Sequence, residues 1–493
     1  MVALVFGPNY QFPESIMTQI LMPNINTETS LLPPDEIVSS SPPEVSENLP
    51  LSPKTGFIGR RRELEQIETA FNQDGTRRFT ISGIGGQGKT CLAIEAGRRL
   101  LSTGIFEKVC FIDYTALVGV DAIGLTLKTL ASVLNRDLED IDAATDALNE
   151  IPTLLIFDNV ETIPTTPRWE FLDVVKQWSE ISACRVLLTT DITDFNHFAY
   201  PTANSSVHQS LPLSGLAEED ALAYFQRLFE FSPAPQVAFP KPDELLRIFE
   251  QVAFHPMAIS VLTIPLKIHP PTDLENSLSR KRSKTPDNPL WAALKLSLES
   301  WESKVEITGL SYWLARLFRR NTIRRLTFNT QTMWLLPRLG VFQGGAFEPD
   351  LLEITDFSKK QWQLLRSILE TTGLIQFEFL HYFKVPYIKF HPSLAPALWT
   401  NFTSEEEQIK IFVDYQQRYA QLAAYLFYEE GRDTDRTRAL ARRDLRNLLH
   451  AVYSALDANE KWTINFANQV DLFLNTFGFK HDSAVLKQQL ING

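Results

Sequence analysis

The sequence predicts an α/β protein in which a parallel sheet comes first and a helical half, interrupted by one strand pair, follows. Three observations predict it. Short β-rich runs at Arg78–Ser82, Val109–Asp113, Thr153–Asp158 and Arg185–Thr190 are separated by helical stretches with apolar residues three and four apart, such as Leu92, Ala96 and Leu100. Near-continuous apolar strands with helices between them form parallel sheets covered on both faces. Beyond about Leu216 such runs stop and helical spacing takes over. Finally, 493 residues exceed one compact core and suit roughly three domains of ~150 residues.

Residues 1–54 read as a Pro/Ser-rich linker. Pro33-Pro34, Ser39-Ser40-Ser41-Pro42-Pro43, Pro50 and Pro53 stand among acidic residues with little hydrophobic periodicity, too little apolar surface to offset ordering the chain. The sheet-forming unit is placed at 55–215. A small helical unit follows at 216–288: Ala217–Glu230 opens with Glu218-Glu219-Asp220 and turns Leu222, Phe225 and Phe229 to one face, and a second helix starts at Pro242-Asp243. Its far boundary is expected in the polar stretch Pro270–Pro289.

Residues 289–400 show helices followed by a strand pair, Leu374–Phe379 and Tyr387–Phe390, an order that suggests a winged helix. From 401 to 493 the chain reads as all-α. Thr403-Ser404-Glu405-Glu406 is a capping-box opening, Gly431 a stop, and Arg438–Leu456 a second helix. No repeat of fixed period is visible.

Composition excludes several functions. An apolar fraction of 44% and a charged fraction of 22% are ordinary for globular proteins, and no apolar run approaches the ~20 residues of a membrane span. Met1–Phe6 lacks a basic flank and breaks at Gly7-Pro8, unlike a signal peptide. Net charge is −12, with 47 basic against 59 acidic residues, so nucleic acid is not an expected partner. Arg280-Lys281-Arg282 is read as a solvated turn, and Arg319-Arg320 with Arg324-Arg325 as the best basic patch of the winged-helix segment. Three well-separated cysteines, Cys91, Cys110 and Cys184, fit a reducing cytoplasm rather than a disulfide framework or a zinc site. The histidines show no metal-ligand spacing.

One motif carries chemistry. Gly83-Ile84-Gly85-Gly86-Gln87-Gly88-Lys89-Thr90 matches G-x-x-x-x-G-K-[ST] in full, directly after a strand and at the start of a helix. The glycines let successive backbone N–H groups face phosphate oxygens, Lys89 reaches the outer phosphates, Thr90 ligates Mg²⁺, and the helix N-terminus adds its dipole. Leu154-Leu155-Ile156-Phe157-Asp158 delivers a carboxylate to the same sheet edge, where Asp158 would orient Mg²⁺. Lys89 and Asp158 are therefore the candidate catalytic pair, and Thr90 and Asp158 the candidate metal contacts. Beside Asp158 stands Asn159, which cannot serve as a general base, with Glu161 two residues on. Hydrolysis is expected to be slow or absent.

With these motifs in order, the chain from about Thr55 to Trp399 resembles the NB-ARC group of STAND signalling ATPases. Phe57-Ile58-Gly59-Arg60-Arg61-Arg62-Glu63-Leu64 is similar to that family's opening segment, and Arg185–Thr190 to its strand ending near the γ-phosphate. Leu211–Phe225 is similar to its entry into the helical domain, Phe254-His255-Pro256-Met257-Ala258-Ile259 to its G-x-P-L-A-L stretch, Leu339–Phe342 with Gly344-Gly345 to its winged-helix start, and Lys389–Leu394 to its MHD-type motif. The resemblance implies a P-loop NTPase sheet, then helical, winged-helix and helical sensor regions, the last truncated. It implies nucleotide contacts at Phe57, Ile58, Arg60, Gly83, Gly85, Gly86, Gln87, Gly88, Lys89, Thr90, Cys91, Pro256 and His391, and ATP/ADP with Mg²⁺ as cofactors. It also implies self-association on activation, an upstream signal and an effector. Three positions depart from the pattern: Asp191 replaces a γ-phosphate-sensing arginine, Phe254 replaces the Gly of G-x-P, and Ser393 replaces the MHD aspartate. The alternatives are a winged-helix transcription regulator and a degenerate scaffold locked on ADP.

Overall fold

A computed structural model of the chain describes residues 47–53, 55–72, 75–116, 121–231, 239–282, 289–302, 335–379, 385–399, 404–456 and 461–492. Most of the 1–54 linker and the whole Arg319–Arg325 patch lie outside these residues.

Helix α1 (Arg61–Asn72) leads to β1 (Arg78–Ser82), α2 (Lys89–Ser102) to β2 (Lys108–Asp113), α3 (Ala122–Leu134) and α4 (Ile141–Glu150) to β3 (Thr153–Asp158), and α5 (Thr165–Glu180) to β4 (Cys184–Thr190). A fifth strand, β5 (His208–Pro212), closes the unit. All pair in parallel, in the order β2-β3-β4-β1-β5. Strand periodicity sends alternate residues to opposite faces. Phe79, Ile81, Val109, Leu154, Ile156 and Leu187 pack under α1 and α2. Cys110, Leu155, Phe157, Val186 and Leu188 pack under α3, α4 and α5.

The sequence reading lacks β5, and the reason is chemical. His-Gln-Ser-Leu-Pro is only half-buried, occupies a sheet edge and ends in proline, so it has no apolar run to betray it. At the opposite edge, Glu47 bridges Val109, and the Asn48 side chain bonds the backbone C=O and N–H of Phe111 at 2.8 and 2.7 Å. This end of the expected linker therefore caps the β2 edge, a shield against stray strand pairing.

Helices α6 (Glu218–Phe231), α7 (Pro242–Gln251), α8 (Pro256–Ile268), α9 (Pro271–Arg282) and α10 (Pro289–Glu302) follow. Arg280–Arg282 closes α9 rather than forming a turn, and α10 packs extensively along α8 although it lies beyond the expected 288/289 boundary. Next come a 3₁₀ segment Leu336–Val341, β6 (Gly345–Phe347), α11 (Glu348–Thr355), α12 (Lys359–Thr371), β7 (Ile375–Glu378), β8 (Tyr387–Phe390) and α13 (Leu394–Trp399). The hairpin β7–β8 forms as expected, and β6 joins it in an antiparallel sheet ordered β6-β8-β7.

The C-terminal helices are α14 (Glu405–Glu429), α15 (Thr434–Arg443), α16 (Leu445–Leu456), α17 (Lys461–Thr476) and α18 (Lys480–Asn492). Ser404 caps α14 by accepting from Glu407 N–H at 3.4 Å. The single helix expected over Arg438–Leu456 is two, broken at Asp444. Its buried carboxylate accepts from Asn447 Nδ2 at 2.6 Å, Tyr419 Oη at 3.1 Å and Tyr387 Oη at 3.4 Å, a polar knot that periodicity does not reveal. Arg418 of α14 pairs with Asp350 at 2.6 Å and Glu353 at 3.1 Å on α11. One continuous apolar core runs from Leu216 to Leu486, so the helical half is welded together across its expected subdivisions. Among the described residues no helix is long and apolar enough to cross a membrane.

Candidate nucleotide site

β1 is buried at every position and delivers the chain into the glycine loop. Ser82 and Gly83 are pinned on both sides: Leu213 N–H donates to Ser82 C=O at 2.7 Å and Gly83 N–H to Thr190 C=O at 3.1 Å. The loop then turns through left-handed backbone at Gly86 and Gly88, the latter N-capping α2. Lys89 is buried and folds its ammonium back onto the carbonyls of Gly83 at 2.7 Å and Ile84 at 3.4 Å. This strand–glycine loop–helix unit in a parallel sheet is a P-loop nucleotide-binding fold, with β4 set between the loop-bearing β1 and the acid-bearing β3.

Asp158 ends β3, buried. Thr90 Oγ1 lies 2.9 Å from each of its carboxylate oxygens, Asn159 Nδ2 donates to it at 2.7 Å, and the Thr189 hydroxyl donates to it from β4. Asn159 Nδ2 also reaches Asp113 at 3.1 Å. Burial raises the Asp158 carboxyl to about 7, with Asp113 and Glu161 adding to the rise and the Thr189 and Thr90 hydroxyls opposing it. Glu161 is raised as well, by burial and by Asp191. The Lys89 pKa is lowered by burial, and Glu161, Asp191 and Asp158 work against that. A hydroxyl and a buried carboxylate among further carboxylates form an all-oxygen donor set, and these residues fit Mg²⁺.

Two histidines meet the loop from the helical half. His255 caps α8: its Nδ1 accepts from Ala258 N–H at 3.2 Å, which leaves Nε2–H to donate to the Gly85 carbonyl at 3.0 Å. A β-carbon at Gly86, where φ is +85°, would come within 2.8 Å of His255 Cε1 and 2.9 Å of Met257 Cβ, so only glycine permits this docking. His391 follows β8. Its Nδ1 accepts from Ser393 Oγ at 2.5 Å and Ser393 N–H at 3.2 Å, leaving Nε2 as the donor. Ser393 thus does the orienting at the position where the resembled family has an aspartate. Burial lowers both imidazoles to about 4, so each is neutral at pH 7. Phe254 holds φ at +51°, the backbone that the resembled glycine would adopt freely and that costs a bulky residue roughly 1–2 kcal/mol.

A cavity of about 1060 Å³ gathers Phe57, Ile58, Arg60, Gly85, Gly86, Gln87, Gly88, Lys89, Thr90, Cys91, Asp158, Pro256 and His391. Gly83 stands behind its wall, holding Lys89. The Arg60 guanidinium is spent on the protein, donating to the carbonyls of Ser214 at 2.6 Å, Gly215 at 3.0 Å and Gln87 at 3.2 Å and pairing with Glu63. Asp191 and Glu161 also line the cavity. Sequence reasoning missed Tyr224 of α6, His255 and Thr189. A half-buried tyrosine at helical spacing carries no signal. His255 was visible inside the G-x-P stretch, where only the proline drew a role, and Thr189 inside a strand taken as a whole.

No protein-family model matches the sequence, and no curated protein matches it. Solved structures similar to the chain include a Walker-type ATPase of Pyrococcus abyssi, PABY2304, at 14% identity, over 71% of this chain and 98% of that one, with a TM-score of 0.34. The Aeropyrum pernix ORC1 protein in complex with DNA is 12% identical over 69% and 91%, with a TM-score of 0.32. Domain III of the Thermotoga maritima replication initiation protein DnaA is 14% identical over 50% and 97%, with a TM-score of 0.28. Likenesses this distant do not speak for the function of this chain.

Proposed function

We propose that the protein is a cytoplasmic nucleotide-dependent switch of the NB-ARC/STAND kind, binding ADP or ATP with Mg²⁺ in this cavity, hydrolysing slowly if at all, and responding by opening and self-association. One observation carries the reading: a single cavity is walled by the P-loop, by the α8 N-terminus and by the loop after β8, so one ligand would bridge all three. Lys89 and the loop amides would hold the outer phosphates. Thr90 and Asp158 would hold Mg²⁺, which supplies charge neutralisation there. Phe57, Ile58, Pro256 and Met257 offer an apolar wall for a base, and His391 Nε2–H a donor to phosphate in the closed form. The strand–helix–helix–hairpin order of β6, α11, α12, β7 and β8 supports the winged-helix reading, used here within the molecule rather than on DNA. An upstream signal and an effector are the partners such a switch requires.

Tight binding alone moves no equilibrium; ATP and ADP must prefer different states. The test is to denature purified protein, identify the released nucleotide by ion-exchange chromatography, and repeat after incubation with excess ATP·Mg²⁺ while sizing the protein. ADP that exchanges for ATP with a rise in mass, both abolished by Lys89→Ala, supports the switch. Asp191, an acid on the wall where an arginine would sense a third phosphate, favours the second reading, a scaffold locked on ADP. Bound ADP that never exchanges would select that reading, and no nucleotide under any condition would defeat both.

A further inference from the structure

A larger cleft of about 1550 Å³ adjoins the first and faces the C-terminal helices. Its charges are lopsided. Lys128 of α3, Lys389 of β8, Arg442 of α15 and Arg446 of α16 line it, and none of their side chains has a hydrogen bond or ion pair among the described residues. Its acids are mostly occupied. Asp113 accepts from Thr115 N–H at 2.8 Å and Asn159 at 3.1 Å, Asp121 caps α3 through Gly124 N–H at 2.7 Å, and Glu378 pairs with Arg443. Of the cleft's acids only Glu405, at the start of α14, has no side-chain hydrogen bond or ion pair among the described residues, while Asp113 acts on Arg446 through its charge.

The cationic wall is built rather than incidental. Arg446 is partly buried, and its Nη1 rests against Gly344, where a β-carbon would stand 3.2 Å from it and φ is +82°. Arg443 lies 3.8 Å over the Tyr387 ring, yet its Nε is buried without a hydrogen-bond partner among the described residues. His450 Nδ1, on the same wall, is a second buried atom without one among those residues. Burial lowers the Arg446 pKa, with Tyr387 and Asp113 opposing through charge alone, and among the described residues no hydrogen bond offsets the desolvation of its guanidinium. In a chain of net charge −12, four basic side chains without an ion pair among the described residues converge on one cleft, an arrangement that suits an anion.

We infer that this cleft, bounded by Arg446, Arg443, Arg442 and Lys389 on one side and Lys128 on the other, is a second ligand site that takes a small multivalent oxyanion. Guanidinium forks match phosphate and carboxylate oxygens in pairs, and a cavity of this size with several cations selects several charges rather than one. The inference does not depend on what occupies the P-loop.

The experiment is titration calorimetry on the full chain carrying Lys89→Ala, which disables the P-loop, with inorganic pyrophosphate in one arm and citrate in the other. Binding of either anion is expected to survive Lys89→Ala, to weaken as salt is raised, and to fall about tenfold or more when Arg446→Gln is added. Pyrophosphate alone would name a phosphate-bearing ligand, and citrate alone a polycarboxylate. Because Arg446 has no hydrogen bond or ion pair among the described residues to lose, the melting temperature of Arg446→Gln should be unchanged or raised. Should that variant misfold, the exposed pair Lys389→Ala and Arg442→Ala replaces it, with the same loss expected. No binding of either anion to the Lys89→Ala protein, or binding indifferent to both sets of substitutions, would overturn the inference.

Discussion

Asp158 is the residue on which the metal chemistry of the proposed switch turns, and its environment fixes how that chemistry depends on pH. Its folded pKa of about 7 lies above the ordinary carboxylate value, so between about 4 and 7 the folded protein holds the proton more tightly than the unfolded chain. The stability this group contributes is present at low pH and lost as pH rises through 7. Mg²⁺ must displace that proton. ADP affinity in Mg²⁺ is therefore expected to weaken as pH falls through about 7, and the step should vanish in chelator or in Asp158→Asn. A wild-type profile without the step would count against Asp158 as a metal contact. Glu161 carries a second prediction. With Asn159 bonded to Asp113 and Asp158, Glu161 is the carboxylate coupled most strongly to Lys89. Any ATP turnover should fall roughly hundredfold in Glu161→Gln, with ADP affinity little changed. Equal phosphate release from both proteins would remove Glu161 from the chemistry.

At the scale of elements, α8 is the part that ties the helical half to the P-loop, and it does so through one imidazole with two duties. His255→Ala removes the cap of α8, a loss of about 1 kcal/mol, and also the bond to Gly85. His255→Asn restores a cap but is too short to reach the loop. We expect Ala to lower the melting temperature and speed ADP release, and Asn to recover the former but not the latter; identical behaviour of the two would mean the Gly85 contact is idle. The pH sign is opposite to that of Asp158. His255 is depressed to about 4 by burial, with Lys89 and Arg60 adding to the effect, so its stabilisation is complete above about 6.5 and disappears as pH falls toward 4.

The same element shows what the sequence disclosed. The P-loop, the four apolar strands, the β7–β8 hairpin and the cap of α14 announce themselves, because each rests on spacing or on one residue type at a fixed place. Polar and edge structure does not. β5 lacks an apolar run, and the break at Asp444 depends, besides the local Asn447, on Tyr387 and Tyr419, which come from distant elements. In the site, Lys89, Thr90 and Asp158 were legible as motif positions, whereas the clamp by His255 and the orientation of His391 by Ser393 are contacts across long sequence separations or choices of ring nitrogen.

At the scale of the whole molecule, the two clefts share a wall. Asp113, Thr115, Thr162, Lys389, Phe390, His391, Pro392 and Pro396 line both, so a ligand in either one bears on the elements that contact the other. Coupling of this kind is reciprocal: if saturating pyrophosphate changes the ADP dissociation constant by some factor, saturating ADP must change that of pyrophosphate by the same factor, typically about 5- to 150-fold. Competition for the P-loop would look similar at low concentration, but the two differ in their limits. A competitor raises the apparent ADP constant without bound as its concentration grows, whereas a coupled ligand raises or lowers it to a plateau. We expect a plateau in the wild-type chain, an equal factor in the reverse titration, and no effect of pyrophosphate on ADP over the same range in Arg446→Gln. Unbounded competition in the wild type would place pyrophosphate in the glycine loop instead, and no effect at all would mean that the shared wall is too rigid to carry the coupling, since packed elements transmit between sites only where they have two arrangements to choose between.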